Sequence, residues 1–407
     1  MARIFHGWRI VIAGGALQFL QSMLLNQAFG VYLAVLVEDR GWSKTAVAGA
    51  AALKSTEAAI LGPVLGWAVD RFGAQGIVRI GIVTFGVGFM LLSWIDTLIG
   101  FYAAFIVVAL GASMFANPVV NVAIIHWFEQ KRARALSALQ FGSAIGGLFV
   151  FLVAASIQAY GWRATAFASG IIVIVIGWPL ARVIRSRPGQ DEHVDDLPPP
   201  LRATGPAARV RESFSVGEAL RTSAFWLIGL GHAFSLLVVT AFNVHAVAHI
   251  KEGLGYSLSL ATLVFTMTTV GQGVGVVSGW VIGDRFVKRK VAAICMLMHA
   301  AGLLMLTYAT GPIVLVAAAL VHGIAWGLRG PFMAAIRADY FGRSSIGMII
   351  GLSSTVLVLG QIGGPIIAGA FADWTGDYRM GFTILALLAG LGSLFFMMAR
   401  RPRKDEG

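Results

Sequence analysis

Long apolar stretches alternate along the chain with short polar connections. A helix crosses the roughly 30 Å hydrocarbon core of a bilayer with about 20 apolar residues. Twelve stretches of that kind can be marked, at approximately 10–36, 45–69, 77–95, 98–126, 135–160, 164–184, 224–250, 258–282, 291–310, 312–336, 346–372 and 380–399. Most connections are under ten residues; the exception is 185–223, with the acidic run Asp191, Glu192, Asp195, Asp196, three prolines at 198–200 and scattered arginines. That segment predicts an irregular linker. Its end, Ser215-Val216-Gly217-Glu218, has a serine three residues before a glutamate, the spacing of a capping box, and predicts a short helix before span 7. The pattern therefore predicts an all-α integral membrane protein of twelve transmembrane helices. A six-helix bundle over 1–184 and another over 224–407 are joined by the linker 185–223.

Composition removes the soluble alternatives. Of 407 residues, 57% are hydrophobic and 12% charged, against about 25% charged in an ordinary soluble protein. So few charges cannot make a water-facing surface for a globule of this size, which excludes a soluble enzyme. Fifty glycines suit membrane helices, where small residues let backbones approach. The single Cys295 excludes an internal disulfide and argues against a thiolate metal cluster. The N-terminus runs into an apolar stretch too long for a signal-peptide core, so the first span is expected to serve as the targeting signal.

A net charge of +12 raises the question of nucleic acid, and the placement of the charges answers it. With the N-terminus inside, 24 of the 31 lysines and arginines fall on cytoplasmic segments. Five fall on outer loops (Arg40, Lys44, Arg163, Lys251 and Arg379) and two lie within spans. This is the positive-inside pattern, and it puts both termini in the cytoplasm. The basic charge is scattered over membrane edges, so no nucleic-acid partner is expected. No phosphate-cradling Gly-x-x-x-x-Gly-Lys-Ser/Thr loop is present, no histidines and acids show metal-ligand spacing, and no nucleophile sits in a recognisable setting. Neither enzyme activity nor a cofactor or metal is expected.

The chain also repeats itself. Gly62-Pro63-Val64-Leu65-Gly66-Trp67 ends span 2, and Gly275-Val276-Val277-Ser278-Gly279-Trp280 ends span 8, at an offset of 213 residues. Asn117-Pro118 before Trp127-Phe128 in span 4 matches Gly330-Pro331 before Tyr340-Phe341 in span 10 at the same offset. The related helices run in the same direction, so the repeat is parallel.

At these residues the sequence resembles a known family. Gly62-x-x-x-Gly66-x-x-x-Asp70-Arg71-x-Gly73 resembles the loop 2–3 signature of the major facilitator superfamily. Gly279-x-x-x-Gly283-Asp284-Arg285, followed by Lys288-Arg289-Lys290, resembles its weaker partner in loop 8–9. Gly41-Trp42-Ser43, Trp127-Phe128 with Lys131-Arg132, Gly142 and Gly146, and Asp339-Tyr340-Phe341-Gly342-Arg343 are similar to the bacterial monocarboxylate-transporter-like and oxalate/formate antiporter-like branch. Animal monocarboxylate transporters carry an acidic residue and an arginine in span 8 and a lysine in span 1. Here span 8 has no charge until Asp284, and span 1 offers only Asn26 and Gln27. The resemblance implies alternating access. In it, Gly62, Gly66, Asp70, Arg71, Gly279, Asp284 and Arg285 form the gating latch. The four-residue spacing of Gly62 and Gly66 opens one helix face to close packing, leaving Asp70 to meet a neighbouring helix end and Arg71 a carboxylate or lipid phosphate. A plain turn with charges at the headgroups is the alternative.

Setting aside charges at membrane edges leaves Lys54, Glu57 and Arg329 at depth. An ionisable group there costs at least ~2.5–3.5 kcal/mol and normally pairs or faces water. Lys54 and Glu57 are three apart and share a helix face. They form either a self-neutralised pair or a proton-coupling site whose carboxylate is tuned by burial and by Lys54. Arg329 has no acid nearby in sequence and is followed by Pro331, which frees backbone groups. Its planar fork matches a carboxylate; the alternative is a structural arginine bonded to carbonyls or to Glu57. His322 lies seven residues before Arg329 on nearly the same face, and Asn117, Asn121 and Asn26 are further candidate substrate contacts. Helix-packing roles remain open for all four. His232, Asn243, His245 and His249 rank lower, and His299 is expected to pack.

These features predict a secondary transporter in a bacterial inner membrane, monomeric by default, moving a small organic anion, foremost a monocarboxylate, together with protons. Arg329 holds the carboxylate; Glu57, or alternatively His322, carries the proton. Three rivals stand beside it. The first is an organic-anion exchanger without proton coupling. The second, a proton-driven drug exporter, is favoured by Gly360-Gln361-Ile362-Gly363-Gly364-Pro365 but lacks a Gly-Pro element in span 5. The third, a sensor, has no soluble module in a 39-residue linker.

Overall fold

The computed structural model describes residues 5–42, 44–115, 117–189 and 213–403; the side chains of 44–52, 54–56, 58, 59 and 117 lie outside the described set. Most of the expected linker, 190–212, is likewise outside it. Every regular element among the described residues is helical. Helices α1 (His6–Gln21) and α2 (Phe29–Arg40) are joined through a π-helical turn, Ser22–Asn26. Then follow α3 (Lys44–Phe72), α4 (Ala74–Leu92), α5 (Leu98–Phe115), α6 (Asn117–Trp127), α7 (Arg132–Leu148) and α8 (Val150–Val183). The second half holds the short α9 (Val216–Arg221), α10 (Ser223–Ala248) with a π-turn His249–Gly253, α11 (Leu258–Ile282) and α12 (Lys288–Thr307). It ends with α13 (Pro312–Phe341), α14 (Ile346–Thr375) and α15 (Arg379–Met398).

Ten helical segments among the described residues are long and apolar enough to cross a membrane. One of them, Arg132–Val183, is two passes, because Gly161 interrupts it with φ 81°. Only glycine adopts that left-handed backbone without strain, and it turns the chain back. With α3 the passes number twelve. Helices α3, α8, α13 and α14 continue through Pro63, Pro179, Pro331 and Pro365. Ser215 accepts from the Glu218 amide while Glu218 Oε2 accepts from the Ser215 amide at 2.6 Å, so the expected capping box starts α9.

The chain forms two compact units. Unit 1 comprises Met1–Lys131, Ala138–Val210 and Ser345–Gly351; unit 2 comprises Arg132–Ser137, Arg211–Ser344 and Leu352–Gly407. In unit 1, Phe85 packs edge-on against Phe89 and Phe115, with ring centroids 5.0 and 5.1 Å apart. There α1 and α7 pass so closely that a Cβ on Gly142 would collide with the Gly15 carbonyl. Without water between helices, such close contact is what holds membrane helices together. In unit 2, α11 and α13 meet the same way: a Cβ on Gly275 or Gly323 would strike the backbone of Ile324 or Thr268. Large apolar side chains such as Ile60, Val175, Ile313 and Leu387 are left exposed, as lipid-facing residues are.

Three of the cations expected on outer loops have an acid beside them, Arg379 with Asp377 and the pair Arg40 and Arg163 with Asp96. Arg40 and Arg163 both donate to Asp96 Oδ1, at 3.0 and 2.7 Å, and Trp162 donates to Asp39 at 3.1 Å. These bonds tie the end of α2 and the chain just after α4 to α8, at its break at Gly161, within unit 1.

Gly142→Leu is expected to destabilise the protein by about 1–3 kcal/mol or more, as overpacking does, and to lower its melting temperature in detergent. Gly390→Ala, at a helical glycine with open space around it, is expected to leave the melting temperature unchanged or raise it slightly.

Candidate functional site

The charged groups of unit 2 divide into those with partners and those without. Near the ends of its helices Asp339 is bonded by Arg132 and, at 2.8 Å, by Lys288. Lys288 also reaches Asp284 at 2.9 Å. Asp284 in turn accepts from the amides of Ala133 and Arg134 at 3.0 and 3.2 Å. These are first-turn amides of α7, where the helix leaves donors unsatisfied and the dipole favours an anion.

Asp70 does the same in unit 1. At the end of α3 it accepts from the amides of Gly347 and Met348 at 2.9 and 2.8 Å, in the first turn of α14. Burial raises the Asp70 carboxyl above its ordinary range, while the bonds from Met348 and Gly347 pull it back. Asp70 and Asp284 lie 214 residues apart, one residue off the 213-residue offset of the sequence repeat, and the amides they meet are shifted alike. The glycines beside them permit the approach. A Cβ on Gly66 would collide with the Gly347 carbonyl, and one on Gly351 with that of Gly62. A Cβ on Gly279 would stand 2.8 Å from Ser137 Oγ. Arg71 lies over the rings of Trp67 and Phe72, 5.7 Å from each centroid, and Arg285 is exposed.

Deeper in unit 2, α13 carries Arg329 two residues before Pro331. Pro331 has no N–H, so the Gly327 carbonyl loses its helical partner. Arg329 is 1% exposed, and its Nε and Nη1 have no hydrogen-bond partner. Its charge acts on His322 of the same helix, on Cys295 and His299 of α12 and on His232 of α10. His322 is fully buried, with Nδ1 3.2 Å from His299 Nδ1 and its ring stacked on Phe242 at 4.5 Å. Arg329 and His322 are therefore brought together, and His299 joins them.

Arg337 belongs to the same helix face, two turns after Arg329. A span ending at 336 puts it among the membrane-edge charges, whereas α13 runs on to Phe341 and buries it. It donates from Nε to Ser353 Oγ and from Nη1 to the Met333 carbonyl, both at 3.0 Å, and its Nη2 has no partner. Its eight-residue spacing from Arg329 was the available signal.

The remaining candidates lie in unit 1. Glu57, half-buried on α3, accepts from Ser113 Oγ of α5 at 3.0 Å. The side chains of Lys54 and Asn117 lie outside the described residues, so their pairing and contacts are not described. Asn121 is half-buried on α6, and Asn26 is exposed as the last residue of the π-turn.

The sequence profile of the Major Facilitator Superfamily matches residues 14–280 and 228–407. Human monocarboxylate transporter 11 is 26% identical over 415 residues, covering 96% of this chain and 82% of its own. The probable sulfoacetate transporter SauU of Cupriavidus necator is 23% identical over 359 residues, covering 81% of this chain and 79% of its own. The crystal structure of the Escherichia coli fucose:proton symporter FucP superposes with a TM-score of 0.74 over 96% of this chain and 98% of that one. At 16% identity that likeness is one of fold.

A hydrogen bond involving a charged group contributes about 1.5–3 kcal/mol. Asp70→Asn keeps one acceptor and is expected to lower the melting temperature measurably, and Asp70→Ala, which removes both acceptors, further. Equal melting temperatures for both variants and the wild type would show that the two amides are satisfied without Asp70.

Proposed function

Since the chain belongs to the major facilitator superfamily and is thus a multi-pass secondary transporter and not an enzyme, we propose that it moves small organic anions, foremost monocarboxylates, in symport with protons. The observation that carries this reading is Arg329, buried with two nitrogens unpartnered. Helices α10 to α13 contain one acidic residue, Asp339, and Arg132 and Lys288 already engage it. A buried cation without a counter-ion is strongly disfavoured. A transported carboxylate supplies the counter-charge, two oxygens against the guanidinium fork. Relatives named for monocarboxylates and for sulfoacetate support the organic-anion class.

In this proposal Arg329 binds the anion, and Asn117, Asn121, Asn26 and His322 contribute polar contacts. Glu57, with Lys54, is the proton carrier the sequence suggests first; His322 is the other. Gly62, Gly66, Asp70, Arg71, Gly279, Asp284 and Arg285 gate an alternating-access cycle. The placement is a bacterial inner membrane with both termini cytoplasmic. An exchanger without proton coupling uses the same anion site, and the experiment below separates the two.

The test is uptake of labelled lactate and pyruvate into liposomes holding the purified protein, with the inside alkaline. Uptake that collapses with a protonophore is expected. Arg329→Ala removes one partner of a buried charge pair, a loss of about 2–5 kcal/mol, so transport should fall roughly 30-fold or more. Arg329→Lys keeps the charge but not the fork and should fall less. Full transport by Arg329→Ala in folded protein would overturn the site. Uptake indifferent to the gradient but stimulated by internal substrate would assign exchange.

A further inference from the structure

The surroundings of Arg329 contain more than an anion site needs. His299 and His322 are fully buried, and their Nδ1 atoms lie 3.2 Å apart. One ring must therefore donate its Nδ1–H and the other accept on a bare Nδ1. In the neutral pair the accepting ring carries its proton on Nε2, and the donating ring has a bare Nε2. Neither Nε2 has a partner. One further proton can add to that bare Nε2, leaving the inner N–H···N bond intact, and can leave again from the same atom. Phe242 lies flat against His322, its plane within 9°, and a ring face is a favourable neighbour for a cation.

What opposes the proton is positive charge. Arg329 of α13 acts on both histidines, and it acts as well on His232 of α10 and on Arg337. On α12 Cys295 is the titratable group that Arg329 acts on besides His299, while Lys288, Arg289 and Lys290 stand at the start of that helix. Helix α11 contains no titratable residue, and α15 contains no acid. Among α10, α11, α12, α13 and α15 the only carboxylate is Asp339, bonded to Arg132 and Lys288. Nothing within these helices offsets an imidazolium beside an uncompensated guanidinium. An anion on Arg329 does offset it.

We propose that the His299–His322 pair is the proton site of the transporter, and that it loads only together with an anion at Arg329, so that the two ions are coupled within α10, α12 and α13. The inference rests on Arg329 binding the transported anion. By linkage, if the anion promotes protonation, the proton promotes anion binding by the same factor. Symport then needs no carboxylate in this cluster.

The experiment is calorimetric titration of the full-length protein in detergent with acetate, lactate, pyruvate and oxalate. Phosphate and Tris buffers, which differ in ionisation enthalpy, report protons taken up. The wild type is expected to take up about one proton per anion, with affinity weakening about tenfold per pH unit once the pair is deprotonated. The double variant His299→Gln/His322→Gln is expected to bind anion more weakly, because a polar contact from His322 is changed, with no proton uptake and a flat pH profile. If it loses its monodisperse gel-filtration peak, the double variant His299→Asn/His322→Gln, whose amides can bond each other and which retains no imidazole in the pair, replaces it with the same expected outcome.

Anion binding by the wild type without proton uptake would overturn the proposal while leaving the anion site standing. So would uptake that persists without the histidines and disappears in Glu57→Gln. Wild-type affinity in Arg329→Ala would instead overturn the anion site, and the coupling with it. Absence of binding by all four anions would reject both.

Discussion

Hydrocarbon offers no hydrogen bonds, and every polar group placed in it must be satisfied by the protein itself. The rest of this structure follows from that constraint. The backbone answers it by being helical wherever it crosses the membrane. Helix starts answer it with Ser215 and Glu218 at α9, and with Asp70 and Asp284 on the first-turn amides of α14 and α7. Because lipid tails are as apolar as leucine, helix association depends on contact at short range. This is why Gly142, Gly275 and Gly323 stand where another helix backbone arrives.

Against that constraint the cations of unit 2 are treated in two ways. Arg132 and Lys288 share Asp339, and Lys288 also holds Asp284. Those charges have structural answers. Arg329 has none, although it is buried as deeply as Arg132. The contrast cannot be traced to a shortage of acids, since acids are present at the helix ends. It arises because, among the described residues of unit 2, no acid reaches Arg329 Nε or Nη1. In the proposed function the counter-charge is the transported anion.

Much of the architecture was legible in the pattern of apolar runs, because a span length is a property of one helix against a fixed bilayer thickness. The break at 160–164 was visible as a gap in the apolar pattern, and Gly161 makes the turn. The capping box was legible from the three-residue spacing of Ser215 and Glu218. The cluster around Arg329 was legible only in part. Arg329 and His322 share a helix, so their seven-residue spacing placed them on one face. His299 reads in the sequence as a packing residue of another helix, and its position against His322 depends on how α12 and α13 pack. Arg337 was obscured by a boundary: the apolar pattern fades at 336, while the backbone remains helical to Phe341. Hydropathy measures transfer into lipid, and it has no term for an arginine facing other helices.

By itself, then, the sequence determined the class of fold, the helical passes, and the presence of an arginine whose nearest acid, Asp339, lies ten residues away. Each of these is local or additive along the chain. The tertiary structure alone decided which helix ends Asp70 and Asp284 meet, that Arg337 is buried, and that two histidines from different helices share a hydrogen bond beside Arg329. Those are contacts between residues far apart in the chain. Their geometry is set by how closely small residues let neighbouring helices approach, and no spacing in the sequence encodes that distance.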